Sequence, residues 1–326
     1  MSLRFIGGAV AFALFAVLAP SAAATPPGHN GLIAWQQESR TTPPHLWVAN
    51  PDGSAARLVF ANAPSEGEFE VTLSPTDPNL VFFSAFFGGP FSEDIYGGNL
   101  ATGAVTRITT ANSADIAPTV SPDGTKIAYF GVRRPARIRP NVPPPPERIR
   151  IANIDGSGDR AITPRRQRSI DPDWSPDGTR IVYTQARLVG RRQQRAQNRL
   201  VIVNADGTGR RPITAFGGAD EINPKWTPDG QAIIFERLRR RAADIRSMSP
   251  LGGAARTILG TGAWETNPVP SPDGTRIVFT SDRDRRGSDR LGRGFEVYTM
   301  ARDGSDIVRL TNNRKADIFP DWQRLP

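Results

Sequence analysis

The sequence predicts an all-β chain folded as a closed ring of six four-stranded antiparallel sheets, a six-bladed β-propeller. Three observations predict it. A turn phrase recurs along the chain, hairpin signals fill the intervals between its copies, and the two chain ends carry partial units that complete each other.

The phrase stands at Ser121-Pro122-Asp123-Gly124-Thr125, Ser175-Pro176-Asp177-Gly178-Thr179, Thr227-Pro228-Asp229-Gly230 and Ser271-Pro272-Asp273-Gly274-Thr275, with a degenerate copy at Ser74-Pro75-Thr76-Asp77. Repeats roughly 44–54 residues apart are the signature of solenoids, propellers and arrays. Each phrase leads into a β-rich run: Lys126–Phe130, Arg180–Thr184, Gln231–Phe235 and Arg276–Thr280. A variable loop and a second run follow (Ile149–Asn153, Leu200–Asn204, Asp244–Met248, Glu296–Met300), then a Gly-bearing turn such as Asp155-Gly156, then a short closing strand. Asp-Gly between apolar runs signals a hairpin, because Gly takes a positive φ without steric cost. One more strand, such as Asp171–Trp174, precedes each phrase. The unit is thus a four-stranded meander, the blade of a propeller.

At the N-terminus, Leu32–Trp35, His45–Ala49 and Ala56–Val59 supply three strands of a blade that lacks its first. The tail Asp317-Ile318-Phe319-Pro320-Asp321-Trp322-Gln323 matches Ser169–Ser175 and is a first strand with no blade of its own. Five whole units plus these fragments make six, with the C-terminal strand pairing into the N-terminal blade. Closure removes the open sheet edges that invite aggregation. Trp174, Trp226 and Trp322, which recur in strand one, are expected to pack between blades.

The domain plan is simple. Met1–Arg4 is a basic start, Phe5–Ala19 an apolar run, and Ser21–Ala24 a stretch of small residues. Residues 1–24 read as a secretory signal and 25–326 as one propeller domain. The apolar run is short for a bilayer core, which needs about 20 residues. The expected location is therefore periplasmic, envelope or secreted, with no membrane span in the mature chain.

Composition narrows the chemistry. At 326 residues the chain is long enough to bury roughly 75% of its unfolded surface. The formal net charge is +9, and all but three of the 41 basic residues (Lys126, Lys225, Lys315) are arginine. The absence of cysteine excludes disulfides, thiolate metal sites and cysteine nucleophiles. The two histidines, His29 and His45, have no Gly-x-Ser-x-Gly nucleophile elbow to serve and are too few for a histidine metal site.

At Pro172-Asp173-Trp174-Ser175-Pro176-Asp177-Gly178-Thr179-Arg180-Ile181 the chain resembles the TolB-type, WD-repeat-like propeller family. That family's hallmark is Pro-x-Trp-Ser-Pro-Asp-Gly-Thr-x-Ile. The resemblance implies the propeller fold and says little of activity. It covers the propeller only: the α/β domain that precedes the propeller in TolB has no counterpart before about Gly31. Nor does a hydrolase domain, of the kind such propellers cap in serine peptidases, stand before Pro326.

In such a blade the phrase and the Asp-Gly turn share one face. The variable loops lie on the other and hold much of the arginine: Arg133 and Arg134, Arg191 and Arg192, Arg239 and Arg240, Arg285 and Arg286. Converging positive charge concentrates anions, and the guanidinium fork suits phosphate and carboxylate. This face is expected to bind an envelope protein or an anionic polymer rather than nucleic acid, the bland alternative being a solvated fringe. Phe86 and Phe87 lie on the same side, either as a partner patch or folded back over their own blade. Six residues before each phrase stand Glu68, Asp115, Ser169, Glu221, Glu265 and, in the tail, Asp317. The five acids read as a ring at the channel mouth on the arginine side, or as local backbone caps and inter-blade pairs. The expected function is a secreted, monomeric, non-enzymatic binding scaffold without cofactor. The alternative is a channel-centred hydrolase assisted by calcium held on Asp, Glu and Asn.

Overall fold

The computed structural model describes residues 28–39, 42–61, 67–86, 93–110, 113–133, 145–189, 195–284 and 294–325, with the side chains of Arg133 and Arg195 outside that description. These residues form six four-stranded antiparallel sheets.

Blade one holds β1 (His29–Glu38), β2 (His45–Ala49) and β3 (Arg57–Leu58), with β24 (Ala316–Leu325) as its innermost strand. Blade two holds β4 (Glu68–Leu73), β5 (Leu80–Phe86), β6 (Glu93–Asn99) and β7 (Val105–Arg107). Blade three holds β8 (Ser113–Val120), β9 (Lys126–Arg133), β10 (Arg148–Asn153) and β11 (Arg160–Ala161). Blade four holds β12 (Arg168–Trp174), β13 (Arg180–Val189), β14 (Arg195–Asn204) and β15 (Arg211–Pro212). Blade five holds β16 (Asp220–Trp226), β17 (Ile233–Arg239), β18 (Ala242–Met248) and β19 (Arg256–Leu259). Blade six holds β20 (Glu265–Pro270), β21 (Arg276–Ser281), β22 (Glu296–Ala301) and β23 (Val308–Arg309). The ring closes as expected: β24 pairs with β1, Ile33 facing Trp322 and Gln37 facing Asp317.

The turn phrase works as a self-contained hydrogen-bond unit. Ser175 Oγ donates to Asp177 Oδ1 at 2.5 Å and accepts the Arg180 N–H at 2.9 Å, while Asp177 Oδ1 accepts the Thr179 N–H at 3.0 Å. Gly178 takes φ +68°, where a Cβ would be strained. The same bonds recur around Asp123, Asp229 and Asp273. Each Asp is held below its ordinary pKa, the hydroxyl and backbone bonds outweighing partial burial.

Apolar residues alternate along the middle strands and fill six seams, one at each blade–blade junction. Trp174 packs with Ile149 and Ile181 between blades three and four. Trp226 packs with Val182 and Phe235 between four and five, and Trp322 with Ile33 and Val278 between six and one. Stability therefore resides in a circular set of interfaces, and each blade needs both neighbours to bury its two faces. No helix among the described residues is long and apolar enough to cross a membrane.

Candidate functional site

Every innermost strand breaks register four residues before its phrase position, and the β1–β24 pair breaks a second time between Asn30 and Ile33. The residues at the break are Glu70, Ala117, Asp171, Asn223, Asn267 and Phe319, all left-handed with φ between 48° and 54°. Asn and Asp tolerate this conformation best among non-glycine residues, and three of the six are of that kind. The bulge frees an N–H from the ladder, and the preceding blade captures it. Glu70 donates to Gln36 Oε1 (3.2 Å), Ala117 to Ser84 Oγ (3.1 Å) and Asn267 to Glu236 Oε1 (2.6 Å).

These bulges line an axial cavity of about 80 Å³, large enough for a few waters or a bare ion. A second axial cavity of about 170 Å³ opens toward the phrase-bearing face. Between them lies a layer two residues further along each strand, and Thr72, Lys225, Val269 and Asp321 contact both spaces. In this layer the Lys225 ammonium lies 3.5 Å from Asp173. Burial works against the Lys225 charge, but Asp173, Asp321 and Asp171 outweigh it and hold its pKa above the usual lysine value. The aspartates also fasten blades: Asp173 accepts the Trp226 N–H at 2.8 Å, and Asp321 accepts the Leu73 N–H at 2.7 Å.

The channel acids are reluctant to ionise. Burial pushes Glu70 up to about 8, with the Asp171 charge adding to it. Burial likewise pushes Asp171 and Asp173 each to about 6, and pushes Glu236, which lies behind the channel wall and accepts from Asn223 and Asn267, to about 7. Among the described residues no group of three or more His, Asp or Glu side chains is arranged to hold a metal ion.

The acids six residues before the phrase sit two residues earlier than the bulge and line neither axial cavity. Glu68 meets His45 Nδ1 at 3.2 Å, Glu221 meets Arg237 at 2.7 Å, and Glu265 meets Arg283 at 2.8 Å and the Thr261 hydroxyl at 2.6 Å. Asp317 accepts from Gln37 at 2.8 Å and Asn313 at 2.5 Å. Asp115 is buried, and burial raises it to about 6 against the pull of the Ser113 and Thr109 hydroxyls. Phe86 folds toward its own blade, its ring 5.0 Å from Phe69. Arg239 pairs with Asp244 at 2.5 Å, and Arg240 is exposed at the β17–β18 turn. Arg134, Arg191, Arg192, Arg285, Arg286 and Phe87 lie outside the described residues, as does the Arg133 side chain.

A cationic cluster that sequence reasoning missed lies on blade four. Arg187 and Arg199 each place a guanidinium over the half-buried Phe216 ring, at 4.4 and 4.2 Å from its centre. Arg210 reaches the loop before the blade, donating to Gln167 at 3.0 Å. Arg199 is held below the usual arginine range by burial and by the charges of Arg210 and Arg187. The missed signals were positional: the bulge residues and Lys225 stand at fixed offsets from the phrase, and Arg199 stands where blades two, five and six place an acid.

The model of the TolB beta propeller domain family matches residues 140–324, more than half of the chain. A protein TolB homolog of Chlorobium luteolum is 30% identical over 165 residues, covering 49% of this chain and 32% of that protein. An uncharacterized protein of Agrobacterium fabrum is 28% identical over 147 residues, covering 44% and 47%. The chain thus spans from about a third to about half of these relatives' lengths. Among solved structures, TolB from Acinetobacter baumannii superposes with a TM-score of 0.67 at 18% identity, covering 91% of this chain and 67% of that one. An oligogalacturonate lyase in complex with manganese superposes at 0.57 and 16% identity, covering 85% and 73%. Both structural likenesses are of fold alone.

Proposed function

Because the chain belongs to the TolB beta propeller domain family, we propose that it serves as an exported, non-enzymatic binding module of the cell envelope. It holds an acidic partner, an envelope protein or an anionic polymer, through its arginine-rich variable-loop face. The observation that carries this reading is the disposition of charge. The channel carboxylates and Lys225 are engaged with one another and with neighbouring backbone, whereas Arg187, Arg199 and Arg210 of blade four have no carboxylate in ion-pair contact among the described residues. Such uncompensated charge attracts anions from solution. The signal-like residues 1–24 support export, and the engagement of His45 by Glu68 leaves that imidazole structural rather than catalytic.

The test compares two charge-matched variants of the chain from residue 25. One carries Arg191, Arg192, Arg239 and Arg240 changed to Gln. The other carries Arg57, Arg160, Arg211 and Arg256 changed to Gln, at the ends of outermost strands on the opposite face. On a carboxylated matrix the first is expected to elute at clearly lower salt than the second. Equal elution would show that only net charge matters and would remove the face from the function.

A further inference from the structure

Where the innermost strand begins, each blade aligns one residue from each of its first three strands in a cross-strand row. The rows are Asp317–Gln37–His45, Glu68–Ala85–Asp94, Asp115–Gly131–Arg148, Ser169–Gln185–Arg199, Glu221–Arg237–Asp244 and Glu265–Ser281–Glu296. Five rows contain at least one carboxylate. Blade four alone has none, and it places Arg199 where blades two, five and six place Asp94, Asp244 and Glu296.

The reversal repeats one strand further out. In blade three the Tyr129 hydroxyl donates to Asp159 at 2.8 Å. Blade four has Arg210 at the position of Asp159, so the wholly buried Tyr183 hydroxyl faces Arg210 and Ser169 in place of an acid. Glutamines steer the arginines instead of acids. Gln197 Oε1 accepts from Arg187 Nε (2.9 Å) and Nη2 (2.7 Å), Gln185 Oε1 from Arg199 Nε (3.0 Å), and Gln167 Oε1 from Arg210 Nη1 (3.0 Å). An amide oxygen fixes a guanidinium's direction without cancelling its charge. The preceding loop adds Arg165 and Arg166, both exposed. The nearby Asp220 carboxylate is turned to the Asn198 N–H at 3.0 Å.

We infer that this cluster on blade four is a subsite for a uronic-acid polysaccharide, whose carboxylates supply the acids that the other five blades carry themselves. This rests on the reading of the variable-loop face as anion-binding. Three features select a uronate chain over other anions. The vacant places in the pattern are those of planar carboxylates, which match the guanidinium fork in bidentate fashion. The cations are held apart, over one ring and along one hairpin, which suits charge spread one unit per sugar better than a single multivalent phosphate. The glutamine amides and the half-buried Phe216 face answer sugar hydroxyls and an apolar C–H face, neither of which a polyphosphate chain offers.

The probe is a galacturonic acid hexamer, titrated calorimetrically into the chain from residue 25 at near-physiological salt. Hexaglutamate, polyphosphate and the fully methyl-esterified hexamer are the comparators. The acid hexamer is expected to bind at least about tenfold more tightly than each of the three. Arg187→Gln and Arg199→Gln should each weaken it about tenfold, in line with loss of a charge-assisted bond, and Phe216→Ala should weaken the uronate but not polyphosphate. Arg187 and Arg210 are exposed, so Arg187→Gln and Arg210→Gln keep the test open if Arg199→Gln fails to fold. Unchanged affinity in these variants, or equally tight binding of hexaglutamate or polyphosphate, overturns the subsite. If that happens while the column experiment still separates the two faces, only the subsite falls. If the faces behave alike as well, the broader reading falls with it.

Discussion

Lys225 and Arg199 are both cations on β-strands of a propeller blade, set among polar side chains. Lys225 faces Asp171, Asp173 and Asp321 across the channel, and their sum raises its pKa. Arg199 faces a serine, a glutamine and two further arginines, and its pKa is lowered. The first arrangement is closed: the aspartates that hold Lys225 also bind the backbone of the next blade, so charge, hydrogen bonding and ring closure are one structure. The second is open, with cations oriented by neutral amides and no counter-charge in ion-pair contact among the described residues. What separates structural from recruiting charge here is whether the chain supplies the partner.

The largest effect is expected at the closed end of this comparison. Replacing Lys225 with Met removes the only cation of the axial layer and leaves Asp173 and Asp321 confronting each other around the channel. Removing one member of a buried ion pair costs about 3–5 kcal/mol. Lys225 retains 29% of its side-chain exposure, so a smaller loss, about 2 kcal/mol, is expected at pH 7 by chemical denaturation. Much of it should return at pH 5, where Asp171 and Asp173, with pKa values of about 6, take up protons. A variant as stable as the parent at pH 7 would show that the layer is solvated rather than closed.

The buried acids at and behind the channel wall give the next effect, with a sign opposite to that of ordinary surface carboxylates. Glu70 has an ordinary value of 4.5 and sits at about 8 in the folded chain, and Glu236 rises from 4.5 to about 7. Between those values the native state binds more protons than the unfolded one, so stability falls as pH rises. Thermal stability should therefore be greatest near pH 4.5–5 and decline through pH 7–8. Glu70→Gln should flatten the upper part of that decline and raise the melting temperature at pH 8 by a few degrees, the equivalent of about 1 kcal/mol. A melting temperature that climbs from pH 5 to pH 8 would place these carboxylates in free contact with solvent.

The fold was legible because the repeat writes its hydrogen bonds into the sequence. Ser175, Asp177, Gly178 and Thr179 each have a defined place in the turn, and four near-identical copies plus the tail at Asp317–Gln323 determine the count and the closure. The channel was less legible. A β-bulge is a main-chain event with no fixed side-chain requirement, as Ala117 and Phe319 at bulge positions show. Skipping one residue of the ladder shifts which side chains reach the axis. Glu68, Glu221 and Glu265, expected at the channel mouth, are paired away from the axial cavities, which Glu70, Asp171 and Asn223 line instead. The blade-four cluster was hidden differently. Arginine is so frequent in this chain that Arg199 and Arg210 gain meaning only when the pairing register sets them against Asp94, Glu296 and Asp159 in other blades.

The smallest expected change in stability is also the sharpest probe of the contrast. Ser169→Asp would give blade four the acid that begins the innermost strand of the other five, at the head of the row that ends in Arg199. Because the site is wholly buried, the new carboxylate costs desolvation. Arg199 lies two strands away in the same row and Arg210 lies close to it, so ion pairing offsets much of that cost. Partly buried pairs of this kind change stability by about 1 kcal/mol or less in either direction. The melting temperature should accordingly move by only a few degrees, whereas affinity for the galacturonate hexamer should drop about tenfold, as the internal carboxylate takes the place of the ligand's. A large fall in melting temperature would mean that Arg199 cannot turn to the new acid and that its orientation is set by packing on Phe216. Unaltered affinity at unaltered stability would mean that the missing acid of blade four is unconnected with anion binding, leaving the two regions different in composition but not in role.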